Sequence, residues 1–198
     1  MSKFKNMTFE AYLDFFKEII EKENPSAPYD DADYMEYARL NWSRMNRWLK
    51  TGVIKEELKQ LIEGLNSPQK WIVITEPWCG DAAHLTPFIY MIASNNPMIQ
   101  LEFELRDSEP FRIQQYLTNG SQSIPKLIIK NHEEEDIAIW GPRPQKAQDY
   151  FLSLKEKNME HEQIKLELQK WYNEDKGQSI QDEFISILQT ELVKTEAH

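Results

Sequence analysis

Cysteine is almost missing from this sequence: Cys79 is the only one in 198 residues. A single thiol cannot close an internal disulfide, so a scaffold stapled by disulfides is excluded, and nothing points to an oxidising compartment. Long apolar runs are missing too. No stretch approaches the ~18 residues of a membrane-spanning helix. The opening residues, MSKFKNMTFEAYLDFF, hold neither an unbroken apolar core nor a small-residue cleavage site, so no signal peptide is expected and the expected location is the cytoplasm. Positive charge is in deficit. Lys and Arg number 23 against 33 Asp and Glu, a net charge of −10, which argues against nucleic acid and against an anionic membrane surface as partners. There is no internal repeat and no low-complexity tract.

What is present reads as helices in front, an α/β centre and helices behind. Residues 8–23 place Phe9, Tyr12, Leu13, Phe16, Ile19 and Ile20 at helical spacing behind a Thr8 cap, and Asn24-Pro25-Ser26-Ala27-Pro28 breaks the pattern. Residues 31–50 and 55–64 predict two further helices. Trp71–Thr75 is a short apolar run that suits a buried central strand. Ile99–Leu105 alternates apolar with polar Gln100, Glu102 and Glu104, predicting a half-exposed strand. A short helix is expected over Pro110–Leu117, a hairpin of Lys126–Lys130 with Asp136–Trp140, and helices over 145–173 and 179–193. The tail Thr195–His198 is expected to fray.

The informative stretch is Trp71–Pro87, WIVITEPWCGDAAHLTP. The strand ends and a helix begins at Cys79. A helix N-terminus carries about half a positive charge and unpaired N–H groups, and such placement can draw a thiol pKa below ~8.5. The alternative for Cys79 is a small buried hydrophobe, the commonest role of a free cysteine.

Trp78-Cys79-Gly80-Asp81-Ala82 resembles the W-C-x-x-C motif of thioredoxins with Ala82 in place of the second cysteine. Pro87 matches their helix-kinking proline, and Ile124-Pro125 their cis-proline before a strand. WCGDAA, LTNGSQSIPKLI and WGPRP together resemble a bacterial group of thioredoxin-like proteins over roughly residues 34–150. The resemblance implies an α/β thioredoxin-like fold with a mixed parallel and antiparallel sheet. It divides the chain into an N-terminal helical extension (1–67), a thioredoxin-like domain (68–155) and a C-terminal helical extension (156–198) packed as one unit.

For function the resemblance implies a monothiol thiol-disulfide oxidoreductase. Cys79 would be catalytic, attacking a protein disulfide or an S-thiolated protein, with no cofactor, and an external low-molecular-weight thiol would resolve the adduct. Trp78, Gly80, Asp81, Ile124, Pro125, Gly141 and Arg143 would line the substrate groove. Two departures weaken dithiol chemistry. Ala82 cannot resolve a mixed disulfide, and Val73 stands where thioredoxins keep a buried aspartate. A cysteine placed at 82 is expected to give a faster dithiol reductase. The other class of function is a non-catalytic module that binds a protein through the same groove.

Several residues carry a plain reading beside a functional one. Asp81 suits a helix cap, but its charge would also raise the thiol pKa. Arg143 is either a thiolate partner or an exposed loop charge, and Arg106 reads as a surface ion pair. His84 lies five residues after Cys79 without further ligands nearby, so no metal site is expected. Tyr34, Tyr37, Trp42 and Trp48 interleave with Arg39, Arg44 and Arg47, a pattern that can stack single-stranded nucleic acid but that fits a packed helix better.

Overall fold

The computed structural model describes residues 6–196, with side chains described through residue 190. Met1–Lys5 and the end of the expected loose tail, Ala197 and His198, lie outside the described residues.

Three helices come first. α1 (Phe9–Glu21) starts where the Thr8 hydroxyl accepts the Ala11 N–H, and it buries Phe9, Tyr12, Phe16 and Ile19. α2 (Ala32–Thr51) starts at Asp31, whose carboxylate accepts two N–H groups of the first turn. Each capping oxygen satisfies donors that the helix itself leaves free. α3 (Glu56–Glu63) is short and ends at Gly64. These bounds lie within two residues of those read from periodicity.

A four-stranded sheet follows in the order β2-β1-β3-β4. β1 (Gln69–Thr75) runs parallel to β2 (Ile99–Leu105) and antiparallel to β3 (Lys126–Lys130). β4 (Asp136–Trp140) completes the hairpin with β3, with one irregularity at Ile129/Lys130. The architecture is the thioredoxin-like α/β arrangement. α4 (Gly80–Ala93) crosses from β1 to β2 and is buried nearly all round, from Ala82 to Ile89 without interruption. Pro87 sits inside it and cannot donate to the preceding turn.

The side-chain alternation of the strands divides the core in two. Trp71, Val73, Phe103, Leu127 and Ile129 face the larger cluster, which runs from Met7 on the N-terminal arm to Leu188. Ile72, Ile74 and Ile128 face a smaller one, closed by Ile113 and Ile124, and Cys79 and Ala82 belong to it. α2 packs along α4, so the Tyr34–Trp48 segment is a packing helix with Met45 and Trp48 buried.

Three expectations need correction. β2 is not half-exposed, because Glu102 and Glu104 are both buried. The segment after β2 folds back over that face, and Arg112 holds the Glu104 carboxylate through two bonds of 2.9 and 3.1 Å. That segment forms only a 3-10 helix, Arg112–Gln115, instead of the helix expected over 110–117. The single helix expected over 145–173 is two, α5 (Gln145–Glu156) and α6 (His161–Asp175), separated at Asn158, whose φ of 52° is left-handed. α7 (Gln178–Glu196) closes the larger core, and its Phe184 packs edge-on against Trp71 and Trp140.

Candidate functional site

The end of β1 delivers Trp78 and Cys79 to the start of α4, with Cys79 as its N-cap residue at φ −78° and ψ 114°. The Cys79 amide donates to the Glu76 carbonyl at 3.0 Å, closing the turn between strand and helix. The cysteine is only 7% exposed. Its Sγ donates to the Ile124 carbonyl at 3.4 Å, and the Ile124–Pro125 peptide bond is cis. Ile124 and Pro125 are themselves buried.

Burial pushes the Cys79 thiol up to about 12; the charge of Asp81 adds to the rise. The amide groups of Ala82 and Asp81 and the Arg143 guanidinium pull the other way and lose. A helix N-terminus favours a thiolate, but here the loss of the anion's hydration outweighs what the two amides and Arg143 return.

The groups expected to serve that sulfur serve each other. Arg143 Nη2 lies 2.7 Å from Asp81 Oδ2, and the other Asp81 oxygen accepts the Tyr172 hydroxyl at 2.8 Å. Asp81 is thus the half-buried counter-ion of Arg143, and no side chain caps α4. Arg143 also donates to Gln148 at 3.1 Å and lies over the Phe151 ring at 4.4 Å. Arg143 is not an exposed loop charge; it pairs with Asp81 and also lowers the Cys79 thiol through its charge.

Gly141 brings its loop against the proline. Its φ is +107°, and a Cβ added there would lie 2.3 Å from the Pro125 carbonyl oxygen. Lys126 Nζ donates to the Gly141 carbonyl at 3.0 Å and to the Thr118 hydroxyl, tying the two loops together. Trp78 is half-buried at the rim, with Arg106 stacked at 4.6 Å and Tyr34 edge-on at 6.1 Å. Arg106 makes the expected ion pair, bidentate to Asp107 at 2.8 Å. Gly80 lies beside the Arg44 guanidinium.

His84 is not a surface residue. It is 3% exposed, accepts the Trp48 indole N–H at 2.8 Å, bonds Gln169 at 3.0 Å and stacks on Tyr172 at 4.5 Å. Burial holds its imidazole neutral, down to about 3. Among the described residues no group of three or more His, Cys, Asp or Glu is placed to hold a metal ion, and no helix is long and apolar enough to cross a membrane.

Two residues near the site escaped sequence reasoning. Arg44 is one of three arginines interleaved with aromatics, and the sequence gives it no role of its own; it reaches the start of α4 and donates to Asn41, which in turn donates to the Pro77 carbonyl at 3.0 Å. Glu76 directly follows the apolar strand β1, and it is only 6% exposed.

A mixed sheet with a helix starting at a lone cysteine, opposite a cis X-Pro bond, defines a thioredoxin-fold protein. The family model described as Thioredoxin matches residues 28–179, and the chain belongs to that family. No curated protein matches the chain. Among solved structures it is similar to a protein of unknown function from Pseudomonas aeruginosa, at 14% identity and a TM-score of 0.57, over 93% of this chain and 99% of that one. An HIV epitope-scaffold is similar at 15% identity and a TM-score of 0.54, again over 93% and 99%. At such identities the likeness concerns the fold.

Proposed function

We propose that this thioredoxin-fold protein uses its cysteine end to hold a protein partner and does not turn over disulfides at neutral pH. One observation carries the reading: the Cys79 thiol is buried, bonded to the Ile124 carbonyl and pushed up to about 12. A thiol in that state presents almost no nucleophile near neutrality. The partner is an extended segment of a protein laid against Trp78, Gly80, Ile124, Pro125 and Gly141, with the Asp81–Arg143 pair as the charged part of the rim. The protein works in the cytoplasm, without a cofactor.

Monothiol exchange is the second reading, favoured by the place of Cys79 at the start of α4 with two amide groups directed at it. In that chemistry the thiolate attacks one sulfur of a disulfide, forms a mixed disulfide with Cys79 and expels the other sulfur as a thiolate. An external thiolate then attacks the partner's sulfur in that mixed disulfide, which forms a disulfide between the two and expels Cys79 as its thiolate.

The rate of Cys79 alkylation by iodoacetamide, followed against pH, separates the two. The binding reading expects a rate still rising above about pH 10 and no deglutathionylation of a glutathione-protein mixed disulfide. A rate that levels off near neutrality, with turnover of that adduct, overturns it and leaves monothiol exchange.

A further inference from the structure

Beside Trp78 lies a cavity that neither reading of the cysteine uses. α1, the linker to α2, the end of β1 and the turn after β2 enclose about 450 Å³, within the range of about 300–1,000 Å³ typical of small-molecule sites. Phe15, Leu105 and the Trp78 indole supply much of the apolar wall. The polar part is buried. Glu76 is 6% exposed, and one carboxyl oxygen accepts the Asp107 N–H at 3.0 Å. Tyr29 is 7% exposed and lines the same space, with its hydroxyl enclosed by protein. Buried polar groups are ordinarily satisfied, so a buried carboxyl in a cavity wall with one oxygen bonded to the Asp107 N–H points to an occupant that satisfies the other.

The charges choose its sign. Glu18, Glu76 and Asp107 line the cavity against Lys22 alone, and Asp107 is already neutralised by Arg106. An anion would meet unpaired carboxylates, whereas a cation would supply the partner that a buried carboxylate needs. We propose that this cavity binds a small organic cation: an ammonium group set against the Glu76 carboxylate, on an apolar body packed against Trp78. The proposal stands whether or not Cys79 reacts.

Its pH dependence follows from the surroundings of Glu76. Burial raises that carboxyl to about 7; the Asp107 N–H lowers it, the Asp107 charge raises it and Arg106 lowers it. Tyr12 from α1 and Tyr29 from the linker are neutral neighbours, each raised by burial. Glu18 and Lys22 face the same space from α1 and its end. A cation binds the ionised form, so affinity rises with pH through neutrality.

The test titrates phenethylammonium chloride into the full-length, nitrogen-15-labelled protein, following the Trp78 indole N–H and the Asp107 amide by NMR. Saturable shifts of both are expected, with affinity close to tenfold tighter at about pH 8 than at about pH 6, the ratio of ionised carboxyl over that interval. 2-Phenylethanol, the uncharged counterpart, is expected not to saturate. Glu76→Gln is expected to weaken phenethylammonium at least tenfold and remove the pH dependence. A lysine-centred tripeptide capped at both ends distinguishes the source: if it binds more tightly than phenethylammonium, the natural cation is a protein side chain, and if less tightly, a free amine. The proposal is overturned if neither cation saturates at millimolar concentration, if the alcohol binds as well as the amine, or if Glu76→Gln changes nothing. The alcohol and pH comparisons use the unaltered protein and hold even where a variant fails to fold.

Discussion

The Cys79 thiol and the Ile124 carbonyl meet at 3.4 Å across the junction of α4 and the proline loop. That contact keeps the sulfur as a donor, and a thiol that donates is protonated. The controlling charges are a residue or two away, and they oppose each other: Asp81 raises the thiol and Arg143 lowers it. Asp81→Asn removes the first and frees the second. It is expected to speed Cys79 alkylation at neutral pH about tenfold, the effect of one pKa unit on the thiolate fraction. Arg143→Met is expected to slow it and, by leaving the half-buried Asp81 carboxylate without its cation, to cost about 1–3 kcal/mol of stability. Alkylation rates and denaturant melts of both variants check the pair. Equal rates in the two would show that burial alone sets the thiol.

Adding the missing second cysteine now has a different expected outcome from the one motif comparison suggests. Ala82 is 1% exposed and lies in the same small cluster as Cys79. A thiol there could resolve a mixed disulfide, but it leaves the nucleophile protonated. Ala82→Cys alone is therefore expected to reduce insulin no faster than the unaltered protein, and Ala82→Cys with Asp81→Asn to exceed both single variants. A large gain from Ala82→Cys alone would mean that the resolving thiol was the only lack.

Gly141 permits the approach of the two loops beside the cysteine. A Cβ there meets backbone, the Pro125 carbonyl oxygen at 2.3 Å, at a φ of +107°. Gly141→Ala therefore combines backbone strain of about 1–3 kcal/mol with an overlap that only a shift of the proline loop relieves. The expected loss is at least about 3 kcal/mol by chemical denaturation, with displaced amide signals at Ile124 and Lys126. Gly120→Ala is the control: its φ is +78°, but nothing lies within 4 Å, so only about 1–2 kcal/mol is expected.

What the sequence made legible was what local pattern encodes. α1 and α2 carry a helical apolar stripe behind a capping Thr8 or Asp31, and β1 is an apolar run too short for a helix. The cysteine–proline pairing was legible through the motif, because the fold spaces those residues regularly. What stayed hidden depends on partners distant in sequence. Glu104 looked like a solvent-facing strand residue because its alternation was regular; Arg112, eight residues on, folds back and buries it. The break between α5 and α6 carries neither glycine nor proline, and Asn158 alone adopts the left-handed turn that ends a helix. The cover over Cys79 comes from Ile113 and Ile124, and no local pattern announces it. Asp81 read as a cap because nothing in the neighbouring residues points to Tyr172 or Arg143.

Two buried groups with opposite protonation preferences set the pH dependence of stability. Burial raises the Glu76 carboxyl from 4.5 to about 7, so between those values the folded protein holds a proton that the unfolded chain has released. Stability due to Glu76 then falls as pH rises from about 4.5 to about 7, by about 1.4 kcal/mol per unit. His84 is lowered from 6.5 to about 3, so across that interval the unfolded chain holds the extra proton. Stability due to His84 rises with pH over about 3 to 6.5 at the same slope. Between about 4.5 and 6.5 the two slopes cancel, and a plateau is expected from this pair. Glu76→Gln, which keeps an oxygen for the Asp107 N–H, removes the falling limb: stability should climb with pH across the former plateau, and the variant should exceed the unaltered protein above about pH 7. His84→Gln, which keeps an acceptor for Trp48, removes the rising limb, so its stability should decline across the same interval. Urea melts of the three proteins between about pH 4 and pH 8 measure both slopes, and parallel curves would mean that neither buried group titrates with the fold.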